Sequence, residues 1–94
     1  MNSLEIRNRG KPQVAAAILE AAVGGRTKSK IMYKSMIGLA RINRYLPILI
    51  AYDLLIFEPD TGTYITSEKG IKFITKVKEI ESVLNEEIRQ PLLA

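Results

Sequence analysis

The sequence predicts a mainly helical α+β domain: three helices, then a β-hairpin, then a long last helix. Three observations carry this expectation. Residues 27–55 read as two short helices joined by a tight turn, with charge on one side and apolar residues on the other. Strand-like runs at residues 54–58 and 63–66 flank Pro59-Asp60-Thr61-Gly62, a turn sequence. Beyond Ser67, Phe73, Val77, Ile80 and Leu84 step by four, three and four residues, a heptad seam. Ninety-four residues make one core, and three parts are expected: a flexible basic arm over 1–10, the folded domain over 11–70, and a C-terminal helix and tail over 71–94.

The first helix is expected over residues 12–23. Proline suits a first helical position, where its missing N–H has no partner to lose. Ala15, Ala16, Ala17, Ala21 and Ala22 are strong helix formers, and Val14, Ile18, Leu19 and Ala22 make the buried side. Gly24-Gly25 ends the helix, one of the two in a left-handed cap. This helix is scaffold.

Thr27 is placed to cap the second helix, its hydroxyl accepting an amide near Lys30. Ile31 and Met32 face inward while Lys28, Lys30 and Lys34 stay in water. A short turn over residues 35–38 leads to the third helix, residues 39–52, where Ile42, Leu46, Leu49 and Ile50 recur at three- and four-residue steps. Arg41, Asn43 and Arg44 lie off that stripe in the first turns, the arrangement of a recognition helix. Pro47 deletes the bond to the Asn43 carbonyl and crowds it, so a kink is expected, with a recognition half before it and a core half, Ile48 to Ile50, after it. A helix that ends near Leu46 and restarts is the alternative.

The hairpin tip is weakly charged, with Asp60 acidic and Thr61 and Thr63 neutral. It is expected to cover the core rather than grip a polyanion, weak backbone contact being the alternative. Ser67 caps the last helix, Glu68 lies in its first turn, and Pro91 stops it after about Gln90. Its first turns can pack on the core, but the seam of Phe73, Val77, Ile80, Leu84 and Ile88, widened by Ile74 and Val83, outruns so small a domain. A two-fold dimer through this seam is expected. A tail folded back as an ordinary core helix is the alternative.

Composition narrows the function. There are no cysteines and no histidines, which removes disulfides, thiol nucleophiles, imidazole bases and zinc fingers together. The carboxylates do not pair, and Gly24-Gly25-Arg26-Thr27-Lys28 lacks the spacing of a phosphate-binding loop. No enzyme, cofactor, metal or small-molecule ligand is expected. No apolar run reaches the roughly 18 residues of a membrane span, and the N-terminus lacks the apolar region of a signal peptide. A cytoplasmic, nucleoid-associated protein is expected. Charge is polarised: residues 7–45 hold nine Lys or Arg against one acid, and residues 46–94 hold five against eight. A basic half of this kind is the footprint of a polyanion partner.

One stretch also carries a family resemblance. TKSKIMYK, then an apolar and a small residue, then YL with apolar spacing, resembles the archaeal winged helix-turn-helix family, which includes small, abundant archaeal DNA-binding proteins of about this size. The resemblance implies that the hairpin is a wing, and it includes members that dimerise through a C-terminal antiparallel coiled coil. Three positions depart from the family pattern. Gly38 stands where a Ser-like cap is usual, Pro47 where a non-proline residue is usual, and Asp53 where Gly ends the helix in a left-handed turn. Because Asp tolerates that conformation less well, a different helix end is expected at Asp53.

Double-stranded DNA is the expected partner of a homodimer. Leu39, Ala40, Arg41, Asn43 and Arg44 would lead the third helix into the major groove, Arg41 or Arg44 pairing with guanine O6 and N7 and Asn43 with adenine N6 and N7. Phosphate contact is the rival role for both arginines. Arg26, Thr27, Lys28, Lys30 and Lys34, with Arg7, Arg9 and Lys11 of the arm, would hold backbone. Tyr33 and Tyr45 are expected to be packing residues with a wet hydroxyl. A transcriptional regulator is the leading reading, and a sequence-tolerant chromatin protein is the alternative. A protein-interaction module fits less well, since lysine is depleted in such interfaces.

Overall fold

The computed structural model describes residues 10–89, with side chains as far as Glu86. The elements in chain order are α1 (Lys11–Ala21), α2 (Lys28–Ser35), α3 (Leu39–Ala51), β1 (Leu55–Glu58), β2 (Thr63–Thr66) and α4 (Glu68–Arg89). This is the order that the sequence predicts. The expected arm, with Arg7 and Arg9, lies outside the described residues.

α1 is the centre of the core. Its Ile18 and Leu19 are wholly buried, and burying such a side chain contributes roughly 1.5–3 kcal/mol. Ile31 of α2, Ile42, Leu46 and Leu49 of α3, Leu54 in the following turn, Leu55 of β1 and Ile74 of α4 collect around them. α1 stops at Ala21, and Gly24 and Gly25 then both take positive φ, 84° and 95°. Glycine alone does so freely, and the pair turns the chain into α2.

α3 runs unbroken through Pro47, so a break near Leu46 is not what occurs. Ile48 and Ile50, expected in the core half, are exposed. The stripe of Ile42, Leu46 and Leu49 explains this: at about 100° per residue, position 48 projects from the far side and position 50 from the margin. The helix end also corrects an expectation. Asp53 itself adopts the left-handed conformation, φ 63°. Its N–H bonds the Ile50 carbonyl at 3.0 Å, and the N–H of Leu54 reaches back to the Leu49 carbonyl at 2.9 Å. These are the two reverse bonds of a Schellman motif, completed by burial of Leu49 and Leu54.

β1 and β2 pair antiparallel, with Leu55 opposite Thr66 and Glu58 opposite Thr63. Gly62, at φ 65°, closes the tip. Leu55 faces the core, and the Phe57 and Tyr64 rings meet at 4.8 Å on the same side of the hairpin. Arg26 adds a one-residue third strand beside β2: its N–H and carbonyl exchange bonds of 2.9 and 2.7 Å with Tyr64. The Thr66 hydroxyl donates to the Leu19 carbonyl at the end of α1.

Ser67 fixes the start of α4. Its hydroxyl accepts the Gly70 N–H at 3.0 Å and donates to the Asp53 carbonyl at 2.6 Å, while Lys69 Nζ donates to the Tyr52 carbonyl. Gly70 passes so near the Leu54 carbonyl and Thr66 that a Cβ would overlap both. α4 then lies along α1, burying Ile74 and Val77. Lys78 and Glu20 bridge the two helices at 2.5 Å. The hydrogen bond that Lys78 donates to Glu20, and then the carboxylate's charge, raise the Lys78 ammonium above its ordinary range. Both side chains are exposed, so water screens the pair and it contributes little. Beyond it, Ile80, Val83 and Leu84 are exposed at 58%, 61% and 53%.

Candidate nucleic-acid interface

Between Glu20 and Asp53 the chain carries six Lys or Arg and no acid. Five of them sit on α2 and α3. The two helices are joined by Met36, Ile37 and Gly38, and buried Ile37 pins this turn to the core. Met36 ends α2 at φ 59°, its N–H on the Met32 carbonyl at 2.9 Å. Gly38 caps α3 with no side-chain bond, whereas Thr27 caps α2 as expected, accepting the Lys30 N–H at 3.3 Å.

With Ile42 inward, Ala40 and Arg44 stand on the opposite pole of α3, flanked by Arg41 and Asn43. All four are exposed, as is Leu39. Met36, Ile37, Gly38, Ala40, Arg41 and Arg44 line one shallow, open hollow.

Three residues expected to hold backbone have internal partners. Lys28 Nζ donates to Asn43 Oδ1 at 2.8 Å, tying α2 to α3. That bond turns the amide oxygen toward Lys28. Bidentate adenine pairing draws on the same oxygen, so Lys28 and an adenine would compete for it. Arg26 is half-buried in its bridge to β2, with Nη1 on the Gly25 carbonyl at 3.3 Å. Thr27 has its oxygen engaged in the cap. Lys30 and Lys34 are exposed on α2, and Lys11 is exposed at the start of α1.

Tyr33 departs from expectation: it is 86% exposed, not packed, because it projects opposite buried Ile31. Tyr45 is half-buried against the core, as expected. Met36 is 87% exposed and was no part of the expected site. Its sequence context gives no signal, since the left-handed position of a turn containing glycine is expected at the glycine. The hairpin tip exposes Glu58 and Asp60.

Along α4 the expected seam divides. Val77 is buried and Phe73 packs half-buried on its own core, leaving Ile80 and Leu84 free. The side chain of Ile88 lies outside the described residues. Among the described residues no cluster of acidic groups suits a metal, and no helix is long and apolar enough to cross a membrane.

A winged helix-turn-helix family model matches residues 8–85, more than four-fifths of the chain. The chain belongs to the winged helix-turn-helix family. No curated protein matches it. Within this winged helix-turn-helix domain, α2 and α3 are the helix-turn-helix pair, β1 and β2 the wing, and Arg26 a one-residue bridge to β2. The family is one of DNA-binding domains, which supports DNA as a partner.

Proposed function

We propose that this protein is a double-stranded DNA-binding transcriptional regulator that inserts α3 in the major groove and works as a homodimer. The observation that carries the reading is the outer face of α3: Ala40, Arg41, Asn43 and Arg44 are exposed together beside α2, with no acid between residues 21 and 52. An α-helix fits the major groove, and arginine is the side chain that reads guanine there bidentately. Lys30 and Lys34 hold phosphates, with Lys11 and the basic arm reaching further along the backbone. Lys28 acts by orienting Asn43. The acidic wing tip keeps the hairpin off the phosphates, so the wing serves the core.

The division into arm, domain over 11–70 and dimerising helix over 71–94 belongs to the same proposal. Exposed Ile80, Val83 and Leu84 support the dimer. We infer an archaeal source and a nucleoid location from the resemblance of residues 27–55 alone. A sequence-tolerant chromatin protein is the second reading, which the resemblance of residues 27–55 allows.

The test is fluorescence anisotropy of the full chain on a random duplex of about 30 base pairs, titrated with salt. Each phosphate neutralised contributes about −0.9 to the log–log slope, so a slope of several units is expected. Absence of binding even at low salt would overturn the proposal. Selection from a pooled library then separates regulator from chromatin protein: an enriched motif supports the first, and its absence the second.

A further inference from the structure

Met36 is a bulky side chain held where glycine would sit without strain. Its φ of 59° lies in the left-handed region, which costs a non-glycine residue roughly 1–2 kcal/mol. The side chain gains nothing inside the fold in return, being 87% exposed. Burial of Ile37, next in the chain, offsets the strain and holds the Met36 thioether out in water beside the start of α3.

The position of Met36 indicates a partner. It shares one hollow with the methyl of Ala40 and with Arg41 and Arg44. Its lining combines apolar side chains, Met36 and Ala40, with two guanidinium groups. Half-exposed Leu39 stands beside it at the first position of α3. The occupant must therefore present an apolar group next to hydrogen-bond acceptors or negative charge. In the major groove the C5-methyl of thymine is the one apolar feature, and it lies beside purine N7 and O6 acceptors and the phosphates.

We propose that Met36 and Ala40 form a thymine-reading wall, seating a thymine C5-methyl while Arg41 or Arg44 holds the neighbouring acceptors. This rests on the DNA-binding reading above and adds to it a preference for thymine at the turn of the helix-turn-helix. Specificity here comes from burial of a methyl group, for which Met36 supplies a flexible and polarisable surface.

The experiment compares the full chain on two duplexes of identical thymine-rich sequence, the second with every thymine replaced by deoxyuridine. Removing the methyls should weaken wild-type binding about fourfold for each methyl seated. Met36→Gly, which fits the positive φ and should fold at least as well, should discriminate between the duplexes less than wild type does, its affinity for the thymine duplex falling toward the wild-type value for the uracil duplex. Equal wild-type affinity for the two, with binding still steep in salt, overturns the thymine wall and leaves the DNA-binding reading standing. Discrimination that survives unchanged in Met36→Gly assigns the effect to duplex shape and also overturns it. Binding to neither duplex at low salt removes both readings together.

Discussion

Arg41 and Arg44 are three residues apart on α3, yet they occupy different positions toward a groove. Arg44 is on the pole opposite Ile42, and Arg41 is on its flank. In the proposed docking the pole would enter deepest, which would place Arg44 better to reach a base edge. Arg44→Ala should then lose about 1–3 kcal/mol on a preferred sequence and relax the choice of base at one position. Competition anisotropy on a panel of duplexes reads this directly; a uniform loss, with a salt slope shallower by about one, would assign Arg44 to phosphate. Side chains that act on their own neighbourhood were legible in the sequence, as Thr27 and Ser67 show by capping α2 and α4. Met36 and Asp53 were not. Each takes positive φ just before a residue that the core buries, Ile37 and Leu54 respectively. The demand for that conformation comes from the burial of the next residue, which no local propensity encodes. The Lys28–Asn43 bond was equally hidden, because fifteen positions separate its partners.

At the scale of elements, periodicity and turn chemistry sufficed for most of the fold. The wing strands fall where Pro59 to Gly62 puts them, and α4 begins where Ser67 and Glu68 do. Continuity of α3 was the harder question. Pro47 removes one donor from the ladder and crowds the Asn43 carbonyl, yet Leu46 and Leu49 on either side of it are both buried. Their anchoring holds the helix together across the defect. Since Pro47 is itself exposed and lies outside the core cluster, Pro47→Ala should restore the missing bond and raise stability by about 1–3 kcal/mol. Urea denaturation followed by circular dichroism measures this, and an unchanged or lower midpoint would sink it. The Arg26 bridge was not foreseen because a single bridging residue leaves no alternation to read.

For the whole molecule, the decisive feature is that α4 is longer than the body it packs on. Twenty-two residues span about 33 Å. Gly70, Ile74 and Val77 occupy the part of the helix held against the domain, while Ile80, Val83 and Leu84 are left in water. Val77 was expected in the shared seam, and its burial moves any seam toward the C-terminal turns. A second copy covering those turns would bury an apolar surface that the monomer leaves exposed, and would set two α3 helices for successive major grooves about 34 Å apart. Sedimentation equilibrium of the full chain should therefore show a concentration-dependent dimer. Ile80→Glu combined with Leu84→Glu should sediment as a monomer with its helical signal intact, because neither side chain serves the core. The monomer should also bind an operator far more weakly than the dimer, since the second site no longer acts at the effective concentration set by the first. A wild-type chain that stays monomeric at all concentrations would sink the dimer, and α3 would then act from a single domain.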